Sequence, residues 1–417
     1  MSLLQYTNKQ LLGVLVFLSL LSVLFDNLIL DRVVVGSIFV VCIIMGAREK
    51  SFVNPYLLFS LTPLSLVVYF PVSPVYMMEI KPEIWTLAII NMIGFLTAIT
   101  LVKYRKNKIS CIGIPRNKLV FYAIIFYLVS ILGRYIPSLS AVLWLFASVS
   151  IACSLKSKKK KMLPFVAFVI LSSALSGHAS KLGILFECVT ILVCYEKYYV
   201  KTREQRKNII LMVLAGIVIM ISAFSFANKD RGDYNSDDGL SYYEKSGKVD
   251  WSYDASLFMP YMYLTTAWTN LQYVTETQQT QTYGLWVIKP IMGYLGLDDN
   301  YKREYRLFSY SSFNTFTFIT CHYKDFGYWG SVVISFLLGL FVMIVYRKYE
   351  VSQSVLDVGS YISVALGVAV MFFSNHFFMQ SYPFTAYIMF ELIKKIPNIC
   401  VGNDCESEEL MENNNRL

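Results

Sequence analysis

Charge is what this sequence has least of. Only 16% of its 417 residues are Asp, Glu, Lys or Arg, while 56% are hydrophobic and 16% aromatic. Soluble domains carry roughly 25% charged residues, so a soluble globular protein is excluded and a polytopic membrane protein remains. Histidine is scarcer still, with three in the chain. There is no His/Cys spacing of the zinc type, no glycine-rich phosphate loop and no serine-nucleophile elbow. Metal and nucleotide chemistry therefore have no sequence basis, and neither a metal nor a cofactor is expected. Eight cysteines are scattered, and only Cys321 falls in a large external segment, which argues against a disulfide framework. The first apolar segment runs on without a small-residue cleavage site, so no cleaved signal peptide is expected. The net charge of +9 is spread between apolar runs instead of gathered in one patch, which excludes nucleic acid as a partner.

What is there is apolar sequence in blocks. Segments near 11–25, 33–47, 53–71, 84–102, 119–136, 138–155, 162–176, 182–195, 208–227, 327–346, 357–378 and 381–396 predict an all-α protein of about 12 transmembrane helices. Basic residues alternate between the blocks. With both termini cytoplasmic, 24 of the 37 Lys and Arg fall inside and 13 outside, nine of the latter in one long loop that the positive-inside rule largely ignores. The expected organisation is an N-terminal bundle over 1–227, a large external (periplasmic) loop over 228–326, C-terminal helices over 327–396 and a cytoplasmic tail over 397–417. Within the loop, Leu257 to Val274 and Leu285 to Leu297 read as short interfacial helices, with Trp268 and Trp286 at headgroup depth.

Four external places hold chemistry. In the hairpin SGHASKLG, His178 is exposed in a turn, and Lys181 occupies the first turn of a helix, where the dipole disfavours a cation. A bound anion would remove that conflict; a lysine snorkelling to the headgroups is the alternative. Arg231, in the segment NKDRGD, offers a planar fork for phosphate or a partner for Asp230 or Asp233. In DDNYKREYRL, Arg303 and Arg306 share a helical face and either clamp a pyrophosphate or pair with Asp298, Asp299 and Glu304. Last comes FNTFTFITCHYKDFGYWG, with Asn314, Thr315, His322, Lys324 and Asp325 at the mouth of an apolar run. His322 and Asp325 are three apart, so one helical turn would set an imidazole beside a carboxylate able to activate a hydroxyl. Capping of the helix that begins at Gly327 is the competing role for Asp325.

The stretch NTFTFITCHYKDFGYWGSVVISFLLGL resembles the N-T-x-T … D-F-G-x-x-G signature of the oligosaccharide repeat-unit polymerases, the Wzy or O-antigen polymerase family. The earlier YMYLTTAWTNLQYV and YGLWVIKPIMGYLG are similar to that family's Y-L-T … N-L and Y-G elements. Relatives often carry an arginine where this chain has Lys181, which keeps the charge and loses the bidentate fork. The resemblance implies a glycosyltransferase of the bacterial inner membrane, with its active site on the outer face. It would move the growing glycan from undecaprenyl pyrophosphate to the non-reducing end of a new lipid-linked repeat unit, for surface polysaccharide or lipopolysaccharide. Arg231, Lys181, Arg303 and Arg306 would hold pyrophosphate, with Lys324 and His178 as weaker contacts. Asn314 and Thr315 would bind sugar hydroxyls, and His322 or Asp325 would be the base. A chain-length regulator and a flippase are the implied partners. An O-antigen ligase using the same donor and, in another class, a flippase for the same lipid-linked unit are the alternatives.

Overall fold

The computed structural model of the chain describes residues 7–25, 27–49, 51–71, 79–102, 189–197, 251, 255–277, 280–288, 315–352, 354–374 and 381–394. Among them there is no strand. The helices are α1 (Asn8–Phe25), α2 (Leu28–Arg48), α3 (Pro55–Phe59), α4 (Leu61–Val67), α5 (Pro82–Leu101), α6 (Ala255–Thr277), α7 (Phe318–Val351), α8 (Val355–Ala369) and α9 (Ser381–Ile393). Four of these, α1, α2, α5 and α7, are long and apolar enough to cross a membrane. A helix meets every backbone hydrogen-bonding requirement within its own segment, which is the condition for sitting in lipid. The chain is thus a mostly helical membrane protein. Of the twelve expected spans, those in 103–188 and 198–227 lie outside the described residues.

The apolar segment 53–71 is not one helix. Asn54 caps α3 by accepting from Leu57 N at 3.1 Å, and its amide donates to Gly46 O and Ser51 O at 3.0 and 2.6 Å. Pro55 takes the first helical position, where its missing N–H costs nothing. Ser60 ends α3 and begins α4, and Pro63 occupies the first turn of α4. Starting signals so close together give two short helices where hydropathy alone reads one span.

Two compact units divide the chain. The first takes residues 1–103, 217–344 and 367–381; the second takes 104–216, 345–366 and 382–417. In the first, α1, α2 and α5 pack on one another, and α2 also covers α3 and α4. The middle of α5 packs on α7 through small and polar residues. A Cβ at Gly339 would lie 2.6 Å from Phe95 O and 2.8 Å from Ala98 Cβ, so glycine is needed for the approach. Beside it, Asn91 donates to Ser331 Oγ at 3.1 Å and accepts from Ser335 Oγ at 2.6 Å, all buried. Asn91→Leu is expected to lower stability by about 1 kcal/mol. The check is a double-mutant cycle with Ser335→Ala in thermal unfolding; additive losses would show that the two side chains do not interact.

Helix α6 departs from its expected interfacial position. Trp268 is 0% exposed and donates its indole N–H to Ser65 Oγ at 2.9 Å. Residues 265–272 are buried all round, which a helix lying in the headgroup layer is not. The polar appearance of LTTAWTNLQ misleads because its hydroxyls turn back onto the helix. Thr265, Thr266 and Thr269 donate to the carbonyls of Tyr261, Met262 and Thr266 at 2.6–2.7 Å. Trp286 is likewise interior, at 2% exposure, and does not face the headgroups. Tyr261 OH holds the segment after α4, donating to Phe70 O at 2.7 Å and accepting from Phe70 N at 2.8 Å.

In the second unit a knot of tyrosines and charges ties helix ends together. Tyr349 stacks on Tyr361 at 4.4 Å, and Lys197 Nζ reaches Tyr349 O at 2.5 Å. Lys394 bridges α9 to Asp357 of α8 at 2.5 Å.

Candidate functional site

The polar stretch ahead of the long apolar helix folds inward. Residues 315–317 lead into the helix, and Phe316 N and Phe318 N donate to Phe373 O and Met371 O at 3.0 and 2.9 Å. Thr315 Oγ1 lies 2.7 Å from Thr266 Oγ1, and Asn270 of α6 donates to Thr315 O at 2.7 Å. Thr317 and Thr320 hydroxyls meet at 3.1 Å. Phe318 sets its ring edge-on to Phe59, Phe95 and His322, with centroids 6.1–6.4 Å apart. His322 therefore lies inside an aromatic core and is fully buried.

Asp325 is buried too, and its surroundings explain how a carboxylate tolerates that. Oδ1 accepts from Thr282 Oγ1 at 2.6 Å and from Trp286 N at 3.0 Å, and Oδ2 accepts from Val287 N at 2.8 Å. The Gly284 N–H is a further donor to the same group. Convergent backbone N–H groups are a fixed patch of positive potential, the kind of concavity that binds anions. Here the anion belongs to the chain itself. Burying a carboxylate without such donors would cost several kcal/mol.

The backbone around Asp325 completes the joint. Thr282 N and Tyr283 N donate to Lys324 O and Asp325 O at 3.2 and 3.0 Å. Tyr283 has φ 49° and Gly284 φ 94°, a pair of left-handed residues that folds the loop round the carboxylate. The Phe326 ring lies under Gly284, where an added Cβ would be 3.4 Å away. Gly327 has φ 68° and ψ −163°, a conformation open essentially to glycine alone, and an added Cβ would overlap Gln281 Nε2. That glycine separates a short helix, residues 318–326, from the apolar length of α7.

Of the residues singled out by sequence, Thr315, His322, Lys324 and Asp325 fall within the described residues, Thr315 against Thr266 and Asn270 and Asp325 against the 282–287 loop. His178, Lys181, Arg231, Arg303, Arg306 and Asn314 lie outside the described residues. His322 and Asp325 do not form the imidazole–carboxylate pair that their spacing suggests: every hydrogen bond to the carboxylate comes from the 282–287 loop. No family model, curated protein or solved structure matches this chain. Among the described residues, no group of three or more His, Cys, Asp or Glu is placed to hold a metal ion.

Sequence reasoning gave no role to Thr266, Asn270, Thr282 or Gly284, although Asn270 and Gly284 belong to the N-L and Y-G elements. The signal for the first two was present. Thr266 and Asn270 are four apart, hence on one face of an otherwise apolar helix, and a polar stripe buried in a membrane protein marks a site or a polar contact between segments. For Thr282 and Gly284 there was only the tight-turn pair Tyr283–Gly284.

Proposed function

We propose that this protein is a membrane glycosyltransferase that polymerises lipid-linked oligosaccharide repeat units. The growing glycan leaves a polyprenyl pyrophosphate and joins the non-reducing end of the next lipid-linked unit. What supports the reading is one observation. The D-F-G and Y-G elements that carry the family likeness lie some forty residues apart in sequence, and they are joined through Asp325 and Gly284 into one buried structure at the head of an apolar helix.

The chemistry needs no nucleotide and no metal, because the leaving group is a lipid pyrophosphate. Negative charge grows on that group as the glycosidic bond breaks, and preorganised cations stabilise it. Arg231, Lys181, Arg303 and Arg306 are the cations assigned to this role, with Lys324 and His178 beside them. Asn314 and Thr315 position sugar hydroxyls. His322 and Asp325 are the two candidates for the base that accepts the acceptor's proton; Asp325 is committed to holding the 282–287 loop, and His322 is buried among aromatic rings.

Arg231→Ala and Arg303→Ala are each expected to remove long chains while single repeat units persist, a loss on the order of a hundredfold or more in polymer formed. Gel ladders of extracted polysaccharide read the result, and normal ladders in both variants would refute the cation assignment. A deletion strain separates the rivals: core plus one repeat unit means a polymerase, bare core means a ligase. Lipid-linked units held on the cytoplasmic leaflet would mean a flippase.

A further inference from the structure

The loop 282–288 carries an unusual combination of surface and backbone. Tyr283 is 80% exposed, Leu285 43% and Ile288 40%, so three of its side chains present apolar surface outward while Trp286 between them is buried. Its backbone N–H groups, in contrast, ask nothing of water. The N–H groups of Thr282 and Tyr283 donate to the carbonyls of Lys324 and Asp325. Those of Gly284, Trp286 and Val287 go to the Asp325 carboxylate. Those of Leu285 and Ile288 donate to Thr282 O and Gly284 O at 3.3 and 3.1 Å. Each donor from 282 to 288 is thus satisfied within the protein. A loop in water has no need of this, whereas irregular backbone in contact with lipid does, since each unpaired group there costs several kcal/mol.

The position of the loop in depth follows from what it is bonded to. Trp329 is 72% exposed, and Val333, Leu337 and Ile344 continue from it down one face of α7 at helical spacing. The opposite face carries Ser331 and Ser335 onto α5. In a membrane-crossing helix the exposed apolar face is the lipid face, and an exposed tryptophan at its head marks the interface. Across the break at Gly327, Phe326 packs directly against Gly330, next to Trp329, and its ring lies under Gly284 of the loop. A loop fastened to Asp325 therefore sits at the height of the headgroups. From this we infer that the 282–288 loop is a lipid-contacting element, with Tyr283, Leu285 and Ile288 resting in the interfacial layer of the bilayer, continuous with the lipid face of α7. The inference holds whether or not the protein is a polymerase. It keeps Leu285 and Ile288, part of the segment 285–297 read as interfacial from sequence, at the interface, adds Tyr283, and removes Trp268 and Trp286, which are interior.

Depth-dependent quenching tests it. Leu285→Cys and Ile288→Cys, each in the full chain, are labelled with an environment-sensitive fluorophore and reconstituted in phosphatidylcholine–phosphatidylglycerol vesicles. The unsubstituted protein, with its eight cysteines, is run alongside to subtract background. A nitroxide on the lipid headgroup or high on the acyl chain is expected to reduce emission about twofold or more at both positions, with a nitroxide near the chain terminus and aqueous iodide both weaker. Emission untouched by every lipid nitroxide overturns the inference. Sensitivity to iodide would then place the loop in water, and insensitivity to both quenchers would place it under another protein surface. Both positions are partly exposed, so failure of one variant to fold leaves the other to decide.

Discussion

Asp325→Ala is expected to destabilise the protein by about 3–5 kcal/mol, more than any other single substitution in the stretch 315–326. The size follows from what the carboxylate does. It accepts from the backbone N–H groups of Gly284, Trp286 and Val287 and from the Thr282 hydroxyl, all within a buried joint. Each donor left without an acceptor costs about 1–3 kcal/mol, and local water entry recovers part of the total. Asp325→Asn keeps one oxygen but turns an NH2 toward a backbone N–H, so about 1–2 kcal/mol is expected. Thr282→Val removes one donor and leaves the three N–H groups in place, so about 1 kcal/mol is expected. Thermal unfolding of the purified protein in detergent checks the order Ala, Asn, Val. The same series separates two roles for the residue. If Asp325 positions the loop, polymer formation in the three variants follows their stability. If it were the base, Asp325→Asn would abolish polymer formation while unfolding near the wild-type temperature, and that outcome would end the positioning account.

The fold class was legible in the sequence because lipid imposes a rule that composition cannot hide: long apolar runs must be helices. Four such runs, those of α1, α2, α5 and α7, appear as read, with their ends moved by a few residues. Legibility failed where polarity is handled locally. In α6 the threonines bond to their own helix, so a polar-looking segment becomes interior. In segment 53–71 the cap at Asn54 and the prolines cut one hydropathy peak into two helices. The candidate site was half legible. A polar stretch crowded with His322 and Asp325 at the head of a span is visible in one dimension. Its partner loop is not, because nothing in residues 280–288 says which carboxylate its N–H groups will find forty residues later. The three-residue spacing of His322 and Asp325 pointed to a pair, but the direction of a buried carboxylate is decided by where donors converge, not by helical phase alone.

Gly327→Ala should cost about as much as Asp325→Asn, for a different reason. At φ 68° and ψ −163° the backbone is in a region that an L side chain enters only at a cost of about 1–3 kcal/mol. The contact with Gln281 adds little by itself, since Gln281 is exposed and its amide end can swing away. Strain is therefore the deciding term, and a larger residue such as Val should cost somewhat more than Ala. The chain has a way to relieve it: residue 327 can relax to helical angles, merging residues 318–326 with the rest of α7. Relaxation would rotate Asp325 away from the 282–287 loop and release the N–H groups it holds, so the substitution is caught between backbone strain and loss of the joint. A drop in unfolding temperature comparable to that of Asp325→Asn is the expected result. The diagnostic is coupling: Gly327→Ala combined with Asp325→Ala should cost clearly less than the sum of the two, because a joint already broken no longer resists straightening of the helix. Additive losses in the double variant would show that the kink and the carboxylate are independent. Gly330→Ala makes a contrasting control. Its backbone is helical and an added Cβ meets Phe326 Cβ directly, so its cost is a packing cost, and it is expected to persist when Asp325 is already gone.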